Sequence, residues 1–279
     1  MPEYWFKYGV TEVSMEIPGE IRHRRMELGR GELSEEAWIK VREFAEDLVK
    51  DLGSGWVTLV YDHSGDSFTP LVLKHLVESI SENLPEDRIR LLTSCWRLDR
   101  SAGFDHMKRE FKRHGIKARF IEAAESEKAH LNGLKISKDI LGSSATVIIT
   151  ASEPHGLLGK ASIKEALALG GYVEAEQAGE ASNLIEEIWE SLSSRLSMQA
   201  ITNLNGEIHL GDASEIEKEI SEKKFDVSVE DFDAVIAGSG GYPKDSILRS
   251  VVHVLGLLRG AVRDDGLIGV IAECKGGVG

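Results

Sequence analysis

The sequence predicts an α/β fold of two domains, with mostly parallel sheets covered by helices and a cleft between the domains. From Trp56 onward, short apolar runs alternate with amphipathic stretches at helical spacing. This repetition is typical of parallel strands joined by helical crossovers. The 279 residues, 42% of them hydrophobic, suffice for a sizeable core and for two domains. We place the boundary near Leu196, which separates residues 1–196 from a smaller C-terminal α/β domain of residues 197–279.

The first predicted elements are a strand pair and an amphipathic helix. Apolar and polar residues alternate between Phe6 and Ile17, which suits two strands that turn within residues 9–12. Ser34 precedes two glutamates and therefore predicts a helix N-cap, and Gly53 predicts the end of that helix.

The next segment contains the first strands of the predicted parallel sheet, over residues 56–61, 89–93 and 118–121. Thr69 and Pro70 open a helix after the first strand, because threonine caps helices and proline favours the first helical position. A second helix is predicted over residues 104–113, and it closes at Gly115.

Residues 145–171 form the stretch around which the predicted site is organised. They contain a buried strand over residues 147–149, a loop that carries His155, and a helix that ends at two glycines. Ligands of open α/β sheets bind past the carboxyl ends of the strands, where loops and helix N-termini face the crevice. The residues of this stretch that we expect in or beside that crevice are His155, Lys160 and Lys164.

The C-terminal region resembles a second, smaller α/β unit after a connecting helix. No covering helix follows its last strand in the sequence, so we expect this unit to be shortened. Its predicted elements are the connecting helix over 181–196, strands over 198–204 and 207–210 around an Asn205-Gly206 turn, helices over 213–224 and 246–262, and strands over 234–237 and 267–272.

Composition excludes some classes of protein. Forty-seven acidic against thirty-three basic residues give a net charge of −14, which disfavours binding along a nucleic acid. No run of about eighteen apolar residues is present and the N-terminus lacks the pattern of a signal peptide, so we expect a cytoplasmic protein without a membrane partner. Cys95 and Cys274 both end strand-like runs, which is typical of small buried residues and leaves open a weaker reading as reactive thiols.

Polar residues that could take part in binding or catalysis follow the predicted strands. The loop that begins with Asp62 and His63 could bind a metal, a carboxylate or a phosphate, or it could be a turn held by its own side chains. His155 is a candidate general base, although a histidine in a loop is more often a surface residue. Lys160 and Lys164 could clamp an anion or carry a covalent group, or lie in solvent.

The glycine-rich segment 238–241 matches neither common nucleotide-binding pattern. The third glycine of the dinucleotide fingerprint would fall on Pro243, and Lys244 is followed by Asp245 where a phosphate loop has Ser or Thr. The simpler interpretation is a tight strand-to-helix turn in which glycines allow close backbone approach.

Several segments, taken in order, resemble the lactate racemase family. The most specific is DAVIAGSGGYPKDSILRSVVHVL followed by DDGLIGVIAECKGGVG; the KYGVTEVSMEIP opening, the loop from Asp62 to Thr69-Pro70, and Glu153-Pro154-His155 with Gly159 also fall in sequence. The resemblance implies racemisation of a small 2-hydroxy acid, with a carboxylate as substrate. It also implies a nickel-pincer nucleotide cofactor, tethered to a lysine, that takes up a hydride while a histidine removes the hydroxyl proton.

Carried over by resemblance, His155 matches a catalytic histidine and Asp62 matches an aspartate of the first loop. Lys164 is the nearest match to the tethering lysine and Lys160 the second. The remaining site residues that the resemblance suggests are Gly240 and Gly241 for the cofactor, and Trp96, Ser250 and His253 for the substrate; no metal ligand is assigned.

The sequence departs from the family at several of these positions. The second catalytic histidine falls on Trp96, and no histidine lies between His155 and His209, where the family has its nickel ligand. His63, His253 or another chain could supply the missing groups. One alternative is therefore a non-catalytic binder of small anions that has lost the cofactor, and another is a thiol enzyme that uses one of the two cysteines.

Overall fold

The computed structural model describes residues 3–18, 34–62, 69–94, 108–109, 111–122, 125–132, 134–155, 159–161, 163–171, 181–204, 207–222, 232–242 and 245–278. Its strands are β1 (Glu3–Tyr8), β2 (Thr11–Glu16), β3 (Val57–Asp62), β4 (Ile89–Ser94), β5 (Arg119–Glu122), β6 (Lys128–Leu131), β7 (Leu134–Ser137), β8 (Ala145–His155), β9 (Gly159–Ala161), β10 (Met198–Leu204), β11 (Glu207–Asp212), β12 (Phe232–Gly238) and β13 (Val262–Ile271). Its helices are α1 (Glu35–Asp51), α2 (Thr69–Ser81), α3 (Lys138–Leu141), α4 (Ile163–Gly171), α5 (Ala181–Ser193), α6 (Ala213–Glu222) and α7 (Leu248–Leu258), with 3₁₀ turns at Glu86–Arg88 and Arg259–Ala261.

The larger sheet has the strand order β11-β10-β8-β3-β4-β5. Strands β10, β8, β3, β4 and β5 are parallel, and β11 pairs antiparallel with β10 at one edge. Along β3, Leu59 and Tyr61 point into the core beneath α1 and α2, whereas Val60 points into the core beneath α4, α5 and α6. Both faces of the sheet are therefore covered by helices, as the prediction of an α/β fold with parallel strands requires.

This sheet continues across the position at which the sequence predicts a domain boundary. β10 begins at Met198, directly after the predicted boundary, and it pairs in parallel with β8 from Met198 opposite Thr146 to Leu204 opposite Ser152. β10 and β11 therefore belong to the larger sheet, and the division of the chain into two domains stays a prediction.

A second, small sheet contains β12 and β13 in parallel register, with Val235 opposite Ile268 and Ala237 opposite Val270. The antiparallel β1–β2 hairpin contacts this sheet, and α7 contacts both β13 and β8. Phe6 of the hairpin packs against Gly238, where an added Cβ would lie 3.3 Å from the ring. The hairpin at the N-terminus thus packs on strands from the C-terminal part of the chain.

Most local predictions are confirmed. The Ser34 side chain accepts a hydrogen bond from the Ala37 amide at 3.2 Å and so caps α1, and α2 begins at Thr69. The hairpin turns at Gly9 and Val10, inside the predicted range. The Asn205-Gly206 turn lies outside the described residues.

The segment before β8 contains a hairpin and a short helix that the sequence reading did not predict. β6 pairs antiparallel with β7, and α3 follows directly. Asp139 of α3 holds the amino-terminal end of the larger sheet, since its carboxylate pairs with the Arg90 guanidinium at 2.7 Å and its backbone carbonyl accepts from Thr58 at 2.6 Å. The Arg90 guanidinium also stacks 3.6 Å above the Trp56 ring.

Within the part of the chain that the structure describes, no helix is long and apolar enough to cross a membrane.

Candidate functional site

The carboxyl ends of β3, β4, β8 and β10 meet at one edge of the larger sheet. Four residues with hydroxyl side chains are buried close to this edge: Thr93, Thr150, Ser152 and Thr202. The Ser152 and Thr202 hydroxyls lie 2.8 Å apart and so join β8 to β10. The strand ends next to the predicted crevice are therefore joined by a buried hydrogen bond.

His155 lies at the end of a strand, and the predicted loop position for it is wrong. β8 continues to His155 because a second, three-residue strand pairs with its last residues: Glu153 is opposite Ala161, and His155 is opposite Gly159. This extension carries the backbone of His155 three residues past Ser152, the last residue of β8 that pairs with β10. His155 is therefore presented beyond the sheet edge on a paired strand.

Asp62 is the last residue of β3 and pairs with Ser94. Tyr61 is opposite Ile149, so Asp62 is level with Thr150. The backbone of His155 then lies five residues farther along β8, roughly 16 Å of extended chain at about 3.3 Å per residue. The side chain of Asp62, residues 63–68 and Trp96 lie outside the described part of the structure, so their predicted roles stay predictions.

The two candidate lysines lie close in sequence to His155. Lys160 belongs to β9, where its backbone is opposite Pro154. Lys164 is the second residue of α4, and its ammonium group contacts both carboxylate oxygens of Glu186 in α5, at 2.7 and 2.9 Å. The ammonium also lies 5.9 Å from the centre of the Trp189 ring. The Lys164 amine is thus held against α5.

The N-terminus of α4 contacts a carboxylate from another helix. Glu217 of α6 is only 7% exposed, and its Oε2 accepts a hydrogen bond from the Ile163 amide at 3.1 Å. A carboxylate there is stabilised by the unpaired N–H groups and the positive end of the helix. Sequence reasoning missed Glu217, because residues 213–224 read only as a charged helix.

The glycine loop between β12 and α7 makes a close backbone contact, as the simpler interpretation predicts. Gly240 and Gly241 have φ angles of 97° and 76°, which favour glycine. The Tyr242 amide donates to the Gly9 carbonyl at 2.7 Å, and a Cβ on Gly241 would lie 3.0 Å from that oxygen. Cofactor binding by these glycines stays a prediction.

Asp245 holds three segments together behind this loop. It is fully buried, and its Oδ2 accepts from the Gly9 amide at 2.6 Å and from the Glu273 amide at 3.3 Å. Its backbone amide donates to the Gly241 carbonyl, and its carbonyl accepts from the Cys274 amide. The sequence shows this aspartate after GGYP but does not show that it joins the hairpin turn, the glycine loop and the segment after β13.

Ser250 and His253 lie three residues apart on α7, and thus on neighbouring positions of one helix face. Their side chains are outside the described part of the structure. The Leu248 amide at the start of this helix donates to the Gly277 carbonyl at 2.9 Å, and α7 contacts β8 as well as β13. The predicted substrate residues therefore belong to an element that touches the strand of His155.

A groove of about 690 Å³ lies elsewhere, between the β1–β2 hairpin and the glycine loop, and its walls include Trp5, Lys7, Tyr242 and the two loop glycines. It contains neither His155 nor either candidate lysine, so we do not place the chemistry there.

The described residues include one of the two cysteines, Cys274. Burial raises the pKa of the Cys274 thiol, and the nearby Asp245 carboxylate raises it further. The reactive thiolate is therefore disfavoured. Cys95 lies outside the described residues, among which there is no group of three or more His, Cys, Asp or Glu side chains that could hold a metal ion.

Comparison with known proteins relates the fold to a racemase structure. No protein-family model and no curated protein sequence matches the chain. Among solved structures, the lactate racemase apoprotein from Thermoanaerobacterium thermosaccharolyticum matches with a TM-score of 0.65 and 16% identity, over 100% of this chain and 76% of that chain. A Thermotoga maritima protein solved by the Northeast Structural Genomics Consortium matches with a TM-score of 0.50 and 16% identity, over 76% of this chain and 65% of that chain. The chain therefore shares, along its whole length, the α/β fold of a lactate racemase apoprotein.

Proposed function

We propose that the protein is a racemase or epimerase that acts on a small 2-hydroxy acid. The observation that supports this most directly is the combination of the racemase-like fold with a paired strand extension that carries Pro154-His155 past the sheet edge. A histidine titrates near neutral pH and is suited to take a hydroxyl proton. The contact of α7 with β8 supports a substrate position between His155 and the helix that carries Ser250 and His253.

In this proposal each residue has a separate task. The imidazole of His155 accepts the substrate hydroxyl proton, Asp62 orients the substrate, and Trp96 contributes to the substrate-binding site. Ser250 and His253 bind the substrate carboxylate from α7.

Lys164 is the residue that would hold a nickel-pincer nucleotide, with Lys160 as the second choice. The Lys164 side chain is 21% exposed and its partner Glu186 is 54% exposed. Tethering at Lys164 therefore requires this ion pair to open, with the Glu186 carboxylate turning toward solvent on its more exposed side. When bound, such a cofactor would supply an acceptor for the hydride of the carbinol carbon and return it to either face.

The test is made on protein produced in a host that makes the pincer cofactor. We expect a mass increase located at Lys164, about one equivalent of nickel, and interconversion of the enantiomers of lactate or a related hydroxy acid on a chiral column. His155→Ala should lower turnover by at least about 100-fold, the contribution typical of a positioned base. His130→Ala, at an exposed position of β6, is the matched control and should retain activity. Retained turnover in His155→Ala would remove His155 as the base.

A second candidate is a binder of small anions that works without the cofactor. The observation in its favour is that the Lys164 ammonium is engaged by both oxygens of Glu186. Protein with bare mass and no nickel that still binds lactate in calorimetry would support this candidate, and binding should weaken in a Ser250→Ala/His253→Ala double variant.

A further inference from the structure

Glu217 is a glutamate on the buried face of a helix, where carboxylates are rare. α6 is rich in charged residues, yet Glu217 lies on its buried face together with Ala213, Ile216 and Ile220. Glutamate is almost never buried without a partner, because its ionised form is poorly solvated there. A specific contact is needed to explain why the helix turns this side chain inward.

One such contact is with the first amide of α4. Ile163 is the first residue of that helix and is fully buried, and its amide donates to Glu217 Oε2 at 3.1 Å. An amide in the first turn has no partner inside its own helix, and the helix N-terminus carries about half a positive charge. The buried carboxylate and the buried helix start therefore satisfy each other, although they are 54 residues apart in sequence.

The start of α4 lies close in sequence to the candidate residues His155 and Lys164. β9 ends at Ala161, two residues before Ile163, and pairs with the part of β8 that ends in His155. Lys164 is the next residue after Ile163 and is itself anchored to α5. Holding the Ile163 amide therefore holds the first residue of α4, which lies in sequence between β9 and Lys164.

We infer that Glu217 is a positioning residue, which holds the N-terminus of α4 so that the β8–β9 extension and Lys164 keep one relative placement. Its carboxylate accepts the hydrogen bond of the Ile163 amide, which an external carboxylate or phosphate could otherwise accept. The role in turnover rests on the proposed function, whereas the placement of the helix start does not.

The test compares Glu217→Gln and Glu217→Ala with Glu222→Gln, a matched control at the exposed last residue of α6. The amide of glutamine keeps an acceptor but loses the charge, so Glu217→Gln should fold even if Glu217→Ala does not. Hydrogen exchange is followed by mass spectrometry in peptides covering residues 159–171. We expect exchange there to be about 5- to 10-fold faster in Glu217→Gln, the usual effect of losing a good charged cap.

Two results separate positioning from general stability. Exchange in α1 and α2 should stay at the wild-type rate in Glu217→Gln, and labelling of Lys164 by an amine-reactive ester should change while labelling of Lys50 does not. Unchanged exchange at residues 159–171 in Glu217→Gln, or equal acceleration throughout the chain, would overturn the inference. Both readouts need no substrate, so a protein that lacks racemase activity but shows them would contradict only the proposed function. In an active preparation, kcat should fall in Glu217→Gln with little change in KM.

Discussion

Replacing Asp245 should loosen the junction between the N-terminal hairpin and the small sheet. Asp245→Ala removes the acceptor of the Gly9 amide, at 2.6 Å, and of the Glu273 amide, at 3.3 Å. A buried donor left without a partner costs about 1–3 kcal/mol, and the shorter of these two bonds should lie toward the upper end. Asp245 Oδ1 is buried without a hydrogen-bond partner among the described residues, so its removal returns part of that loss.

We therefore expect Asp245→Ala to lower the free energy of unfolding by about 2–4 kcal/mol, and Asp245→Asn, which keeps one acceptor oxygen, by about 1 kcal/mol. Equilibrium urea unfolding followed by tryptophan fluorescence measures both values. Asp264→Ala, at an exposed position of β13, is the control and should lie within about 0.5 kcal/mol of the wild type. If Asp245→Ala unfolds at the same urea concentration as Asp264→Ala, the hairpin is not held by this carboxylate.

Three further outcomes are expected. Asp139→Ala should lower the free energy of unfolding by about 3 kcal/mol in the same urea assay, because it leaves the Arg90 guanidinium, whose side chain is 20% exposed, without its carboxylate partner. A loss below about 1 kcal/mol would contradict this. Alkylation of Cys274 by iodoacetamide should reach half its maximal rate at a higher pH than in the urea-unfolded chain, because its pKa is raised, and Asp245→Asn should lower that midpoint. Burial lowers the pKa of His75, so the unfolded state takes up a proton first and thermal stability should fall as pH drops through 6.5; His75→Gln should flatten this dependence.

The sequence predicts elements whose signals are local and misses those that depend on distant partners. The cap of α1 and the start of α2 could be predicted because Ser34 and Thr69 act within a few residues. β8 is underestimated because Pro154 usually signals the end of a strand. Pro154 is tolerated here because its pairing partner, β9, is a short edge strand.

The strand pairing that crosses the predicted boundary near Leu196 could not be predicted for a related reason. Nothing within residues 198–212 shows that β10 pairs with β8, some fifty residues earlier, because a parallel pair is joined by a crossover of variable length. Glu217 and Asp245 likewise looked like ordinary acidic residues, since the amides they accept from are 54 and 236 residues away. In the candidate site, the order of motifs around His155 could be predicted from the sequence, whereas the ion pair between Lys164 and Glu186 could not.

The packing of the N-terminal hairpin against β12 and β13 affects how this protein emerges from the ribosome. Gly9 is synthesised 236 residues before Asp245. At about 5–20 residues per second, the hairpin waits roughly 12–47 seconds for its partner. During that interval Gly238, against which the Phe6 ring packs, has not yet been synthesised. Slowing translation between the hairpin and β12 should therefore lower the yield of folded protein.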